Sequence, residues 1–285
     1  MSVTNFIPAV WSAQILESLK KALVYGGPAV VNRDYEGEIQ NVGDRVKINA
    51  IGRPTISNYA KNTDISSPET LNDAQSELII DKAKYFNFQV DDVDQIQTKP
   101  KLMGPALAEA GYALSDAIDQ DIAAAMKADA SVVTGLGTDG SPRTDLGTAG
   151  NAYTYLTKLR TALTVANVPT VGRWVVVPPW FEEKLLLDST FLARATQSGD
   201  DKVENGRVSR VAGLDIWVSN NVPVVSTTYT ILAGTRMATS FAVQVSKTEA
   251  YRPEKRFADA VKGVTLYGVK VVRPATLVKL IANAA

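Results

Sequence analysis

The chain has 285 residues, of which 45% are hydrophobic and 21% charged, a composition that folds into one or two globular domains. It contains no cysteine and no histidine, which excludes a disulfide framework, a thiolate nucleophile, a Cys- or His-type metal site and any triad built on an imidazole. Thirty basic residues balance thirty acidic ones, so a dedicated nucleic-acid binder with a basic stripe is not expected, whereas carboxylate, Lys, Ser or Tyr chemistry stays open.

Along the chain, residues 8–24 read as a short amphipathic helix. Trp11, Ile15, Leu19 and Leu23 recur every fourth position, Pro8 suits the first turn, and Gly26-Gly27-Pro28 stops it. Such a helix needs a surface to pack on. That surface is its own domain, a second copy or, less readily, a membrane. The basic pair Lys20-Lys21 follows the apolar residues, the reverse of a signal peptide. No apolar run approaches the length of a membrane span, so a cytoplasmic protein is expected.

Residues 44–51 alternate, with Val46, Ile48 and Ala50 on one side and Arg45, Lys47 and Asn49 on the other, as in a strand with one dry face. A second strand pattern runs from Glu77 to about Val90. Between them lies a polar stretch, Gly52 to Ser76, longer than most loops in compact domains. Two strands joined by so long a tip suggest a projecting arm, with Arg53, Tyr59 and Lys61 as candidate contact residues. Lys61 and Asn62 also carry the groups an isopeptide crosslink would need, although a solvated tip is the plainer reading.

From Thr98 to Asp129 the pattern is helical. Leu102, Leu107, Ala110, Leu114, Ile118, Ile122 and Ala125 trace one face, with Thr98 as N-cap and Pro100 just inside. Gly104 and Gly111 interrupt this helix and mark either close packing or a bend. A loop over 131–150 precedes a second helix around Tyr155, Leu156, Leu159 and Leu163. Arg173–Val177 is a buried strand, and Trp180–Leu187 a further helix after Pro178-Pro179. Strands are expected at 207–219, 228–233, 241–245 and 264–272. Helices and strands mix without a βαβ repeat, which places the fold in the α+β class.

Motifs for chemistry are poor in context. Gly135, Gly137 and Gly140 fit G-x-G-x-x-G, but a helix precedes them and no helix start follows, so no phosphate would meet a helix N-terminus. A flexible loop is expected there. Asp91, Asp92 and Asp94 could hold a hard cation, or simply favour the start of the next helix. Asp116 and Asp119 share a helix face, but nothing indicates a cleft around them. No cofactor is expected. The charge is also uneven: residues 91–130 carry 3 basic and 8 acidic side chains, and residues 241–285 carry 8 and 3. These segments either meet, within a subunit or between neighbours, or are two solvated surfaces.

In order and spacing, several stretches resemble the HK97-type fold of tailed-bacteriophage major capsid proteins, in the subfamily without an inserted extra domain. They are Asn5–Pro8 with Trp11, Val42–Val46, Val175–Phe181, Gly213–Asn220 with Val222-Pro223, Glu249–Arg252 with Phe257, and Leu266–Pro274. The resemblance implies an N-terminal arm at 1–33 and an extended loop at 34–90 lying over a neighbour. It implies a peripheral domain at 91–130 and 241–285 with a spine helix at about 98–129, and an axial domain at 131–240. It further implies a shell of pentamers and hexamers around double-stranded DNA, held by non-specific contact. A separate scaffolding protein, a portal and a decoration protein are the other partners implied, with no membrane. The virion capsid would assemble in the bacterial host cytoplasm. An encapsulin-like nanocompartment shell, a carboxylate-dependent enzyme and a lipid- or partner-binding module are the alternatives.

Overall fold

The computed structural model describes residues 24–35, 45–51, 56–59, 61–62, 64, 67, 73–91, 103–147, 151–187, 210–255 and 257–284. Strands β1 (Arg45–Ile51) and β2 (Asp73–Ile79) pair antiparallel, from Arg45 opposite Ile79 to Ile51 opposite Asp73. Strand β3 (Lys82–Asp91) belongs elsewhere. It pairs with β11 (Ala258–Val271), which pairs in turn with β10 (Thr239–Tyr251). The single strand expected from Glu77 to Val90 is therefore two. Between them the chain changes sheets, and the carbonyl of Ile79 passes so close to Gly268 on β11 that a Cβ there would lie 2.3 Å from it.

Helix α1 (Met103–Asp129) runs 27 residues, about 40 Å, unbroken through Gly104 and Gly111. Its C-terminal end agrees with the sequence reading, while residues 98–102 lie outside the described residues. The buried face is wider than the expected stripe. Leu107, Leu114, Ile118 and Ile122 are buried, but so are Ser115, Asp119, Ala123 and Met126, whereas Ala110 and Ala125 are only half-buried. The helix meets three surfaces, the three-stranded sheet, the larger sheet that contains Trp174 and Leu232, and a turn at residues 24–31, and one stripe cannot cover them all.

A mixed sheet of seven described strands forms the larger layer, in the order β4 (Ser131–Val132), β12 (Leu277–Asn283), β9 (Thr228–Thr235), β5 (Arg173–Val177), β7 (Leu214–Val218) and β6 (Arg210–Val211). Strand β8 (Val224–Val225) pairs with β9 beside that path. The expected strand at 207–219 is a β6–β7 hairpin, turning at Ala212 and Gly213, both with positive φ. Strand β12 was grouped by sequence with the 241–285 segment. It instead lies in the seven-stranded sheet, antiparallel to β9. Its residues are buried from Leu277 to Ala282, with Leu277 in the cluster with α1 and Val278, Leu280 and Ala282 in the cluster on the other face.

Helices α2 (Asn151–Val165) and α3 (Pro179–Leu186) cover one face of that sheet. On α2, Ala152, Tyr155, Leu156, Leu159 and Leu163 are buried at helical spacing. The helix ends as Asn167 takes a left-handed φ of 57° and the amide of Val168 reaches the carbonyl of Leu163, a Schellman closure. The buried guanidinium of Arg173 adds donors to the carbonyls of Val168, at 2.6 Å, and Pro169, at 2.8 Å. Helix α3 begins on Pro179, whose missing N–H costs nothing at that position. Along β5 the side chains alternate between two cores. Trp174 and Val176 join the cluster with α1, and Val175 and Val177 join the cluster with α2 and α3.

Candidate functional site

The sequence motifs for chemistry have structural explanations. The loop at 135–143 is sewn along β12: the amide of Ile281 donates to the Leu136 carbonyl, that of Arg143 to the Ile281 carbonyl, and that of Asn283 to the Arg143 carbonyl, all at 2.9 Å. This is an ordered loop, not the flexible one expected. Gly137 has a φ of +83°, and a Cβ there would sit 2.3 Å from the Ile281 carbonyl, so close approach of backbone explains the glycine. Asp91 closes β3, and Asp92 and Asp94 lie outside the described residues. Among the described residues no group of three or more acidic side chains could hold a metal ion. Asp116 and Asp119 are not an acid–base pair. Asp116 accepts from the Gln120 side chain at 2.8 Å, while Asp119 is buried and fully engaged.

That engagement is the centre of the subunit's joinery. Asp119 Oδ1 accepts the main-chain amides of Val24 at 3.0 Å, Tyr25 at 2.7 Å and Gly26 at 3.3 Å. Its Oδ2 accepts from Asn221 Nδ2 at 3.1 Å, in the turn after β7. Burial pushes the Asp119 pKa up, against these four donors, which lower it. Beyond this anchor Tyr25, Val30 and Val31 are buried. The chain then joins β10, where the Asn32 amide donates to the Thr239 carbonyl and the Phe241 amide to the Asn32 carbonyl, both at 2.9 Å. Sequence reasoning missed this site, and the available signal was a carboxylate one position past Ile118 on the buried stripe. Trp11, Ile15, Leu19 and Leu23 lie outside the described residues.

A second clasp joins α1 to the three-stranded sheet. Asp121 accepts from the Tyr267 hydroxyl of β11 and faces Lys84 Nζ of β3 at 3.3 Å. Burial works to raise the Asp121 pKa, but the Tyr267 hydroxyl, Lys84 and more distant Lys82 outweigh it and hold the carboxyl below its ordinary value. Burial and Asp121 together push the Tyr267 phenol up. At the helix C-terminus Lys279 Nζ donates to the carbonyl of Lys127 at 3.1 Å, where a cation suits the dipole. The two segments thus touch inside the subunit, but these contacts pair no acid of 91–130 with a base of 241–285. Two other basic groups of 241–285 make local pairs, Arg252 with Asp259 at 3.0 Å and Lys262 with Glu249 at 3.0 Å.

The β1–β2 pair departs from this body. At its root Val46, Leu78 and Ile80 bury against Ala242 and Leu266. At its tip Ile56 is 93% exposed and Tyr59 is 75% exposed, with Lys61 and Asn62 also exposed. Arg53 lies outside the described residues. Among the described residues nothing covers the apolar side chains of Ile56 and Tyr59. On α1 the Ser115 hydroxyl donates to the Gly111 carbonyl at 2.7 Å, a bond that tends to bend a helix slightly.

Comparison with known proteins agrees with an assembling subunit. A family model described as phage capsid protein matches residues 75–280. A chain of Mycobacterium phage Che8 is similar at 27% identity and a TM-score of 0.77, covering 100% of this chain and 94% of that one. A chain from the capsid of cyanophage P-SCSP1u shares 18% identity at a TM-score of 0.69, covering 87% and 85%. One from the mature capsid of bacteriophage PhiM1 shares 17% identity at 0.65, covering 84% and 82%. Among curated proteins none matches the chain.

Proposed function

Because the chain belongs to the phage capsid protein family, and is on that footing a major capsid protein with an HK97-like fold, we propose that its copies associate as pentamers and hexamers that close into an icosahedral shell around double-stranded DNA. It is a structural protein of the virion capsid and not an enzyme, and the encapsulin-like alternative is not favoured. The observation that carries the assembly mode is the arm, rooted in the body by Val46, Leu78 and Ile80 and exposed at Ile56 and Tyr59.

The mechanism is geometric. Heterologous contacts between identical subunits close into rings when the rotation closes. Rings of five and six from one sequence require contacts that adapt, and a tethered arm (residues 34–90) and an N-terminal segment (residues 1–33) suit that task. Trp11, Ile15, Leu19, Leu23, Arg53, Tyr59 and Lys61 are the contact residues of this reading. Each contact is weak, and the number made by every subunit multiplies them. The peripheral domain comprises residues 91–130 with the β10–β11 hairpin. The axial domain comprises 131–240, completed by β12. Gly104 and Gly111 are the points at which the spine helix would bend between shell states, and the Ser115–Gly111 bond supports the second.

A chain of zero net charge fits a wall that encloses DNA by non-specific contact without gripping it. A separate scaffolding protein and a portal would guide closure in the bacterial host cytoplasm, and a decoration protein would bind outside. Electron microscopy of the expressed protein, with and without a scaffolding partner, tests this reading. Closed shells are expected, and monomers under every condition would overturn it.

A further inference from the structure

Mid-helix main-chain groups already pair within the helix, so the carboxylate of Asp119 does nothing for α1 itself. It serves three other amides and one side chain, from two segments distant in sequence. Both of its oxygens act only as acceptors, the arrangement of an ionised carboxylate. No cation contributes to its environment among the described residues, so its charge is balanced by amide dipoles alone.

The chain is thereby pinned twice within nine residues, at 24–26 on Asp119 and at Asn32 on β10. The pin at Asn32 suffices to lead the chain onward to the arm. The pin at Val24–Gly26 adds something else, a second fixed point of the main chain against α1. Between the two, the amides of Val30 and Val31 fold back on the Gly27 carbonyl, at 3.0 and 3.1 Å, and make the turn rigid. Asn221 adds the axial layer to the same knot, so the departure point is set relative to α1 and to the seven-stranded sheet together.

We propose that Asp119 is the positioning residue of assembly, setting the direction in which residues 1–23 leave the body and hence which neighbour they can reach. This rests on the reading of residues 1–33 as an inter-subunit arm.

The test compares the parent, Asp119→Asn and the exchanged pair Asp119→Asn/Asn221→Asp, by amide hydrogen exchange on the unassembled protein and by electron microscopy after assembly. Asp119→Asn keeps an acceptor but turns an N–H toward the Asn221 amide. Exchange at the amides of residues 24–26 is expected to quicken at least about tenfold, roughly the weight of one charge-assisted bond, and closed shells to give way to open or irregular ones. The exchanged pair restores a donor opposite an acceptor and returns the charge to the knot but leaves a neutral acceptor on the three amides, so shell closure is expected to recover and exchange at residues 24–26 to fall between parent and Asp119→Asn. Parent-like exchange in Asp119→Asn overturns the anchor. Faster exchange with unaltered shells overturns its role in assembly. Failure of the parent itself to form shells would instead sink the reading beneath it, with the exchange result standing apart. If Asp119→Asn does not fold, Asn221→Ala deletes only the side-chain donor. It should then quicken the same amides severalfold and disturb closure, and the absence of either effect overturns the proposal.

Discussion

In the seven-stranded sheet every residue of β5 is buried, with side chains divided between two cores. In the arm, Val46 of β1 is buried at the root while Arg45 and Lys47 beside it are exposed, and the tip presents Ile56 and Tyr59 to solvent. Both regions are strands, yet β5 is covered on two faces, while among the described residues the arm is buried at Val46 and Leu78 and exposed at its tip. A subunit with all its apolar surface inside would be stable and solitary. Here the core residues of the body are covered by its own strands and helices, while the arm is tied to it through Val46, Leu78 and Ile80 and exposes Ile56 and Tyr59.

Substitutions can break that contrast. The largest effect is expected for Trp174→Ala, which empties a fully buried site where α1 meets the sheet. A loss of about 3–5 kcal/mol is expected in chemical denaturation. Tyr59→Ala should by contrast stay within about 0.5 kcal/mol of the parent while reducing shell yield, and a destabilisation as large as that of Trp174→Ala would erase the distinction. Next comes the shoulder between the regions. Gly268→Ala forces a methyl against the Ile79 carbonyl, and a cost of about 1–3 kcal/mol is expected, with faster proteolysis of the arm than of the body.

A smaller effect concerns acid. Because the folded-state pKa of Asp121 is depressed, its ionised form favours the native state. That contribution is present above the ordinary carboxylate range, near pH 4, and is lost as pH falls through the lowered value. Thermal melts as a function of pH should therefore show a shallower acid limb in Asp121→Asn than in the parent. Smallest is Arg45→Ala, which removes an exposed pair with Glu77 at 3.3 Å. The arm should lose less than about 1 kcal/mol, measured as exchange of β1–β2 amides.

Much of the fold was legible in the residues. The alternation of Val46 and Ile48 marked β1, the run Arg173–Val177 marked a strand buried on both faces, and Tyr155 to Leu163 marked the covering helix. The site was less so. The tip residues Tyr59 and Lys61 were legible as exposed because a long polar stretch has no core to enter. Asp119 was not, because a buried carboxylate is written in the sequence like an exposed one, and its partners at Val24–Gly26 and Asn221 lie some hundred residues away on either side.

The sequence by itself determined that imidazole and thiol chemistry was absent, which segments would alternate or turn helically, and that a long polar stretch would follow β1. These follow from side-chain type and local period, which act over a few residues. Tertiary structure alone decided that Glu77–Val90 divides between two sheets at Ile80, that β12 joins the seven-stranded sheet, and that the loop around Gly137 is stitched to β12. Those outcomes depend on which distant backbone supplies the hydrogen-bond partner, and no local pattern of residues names that partner.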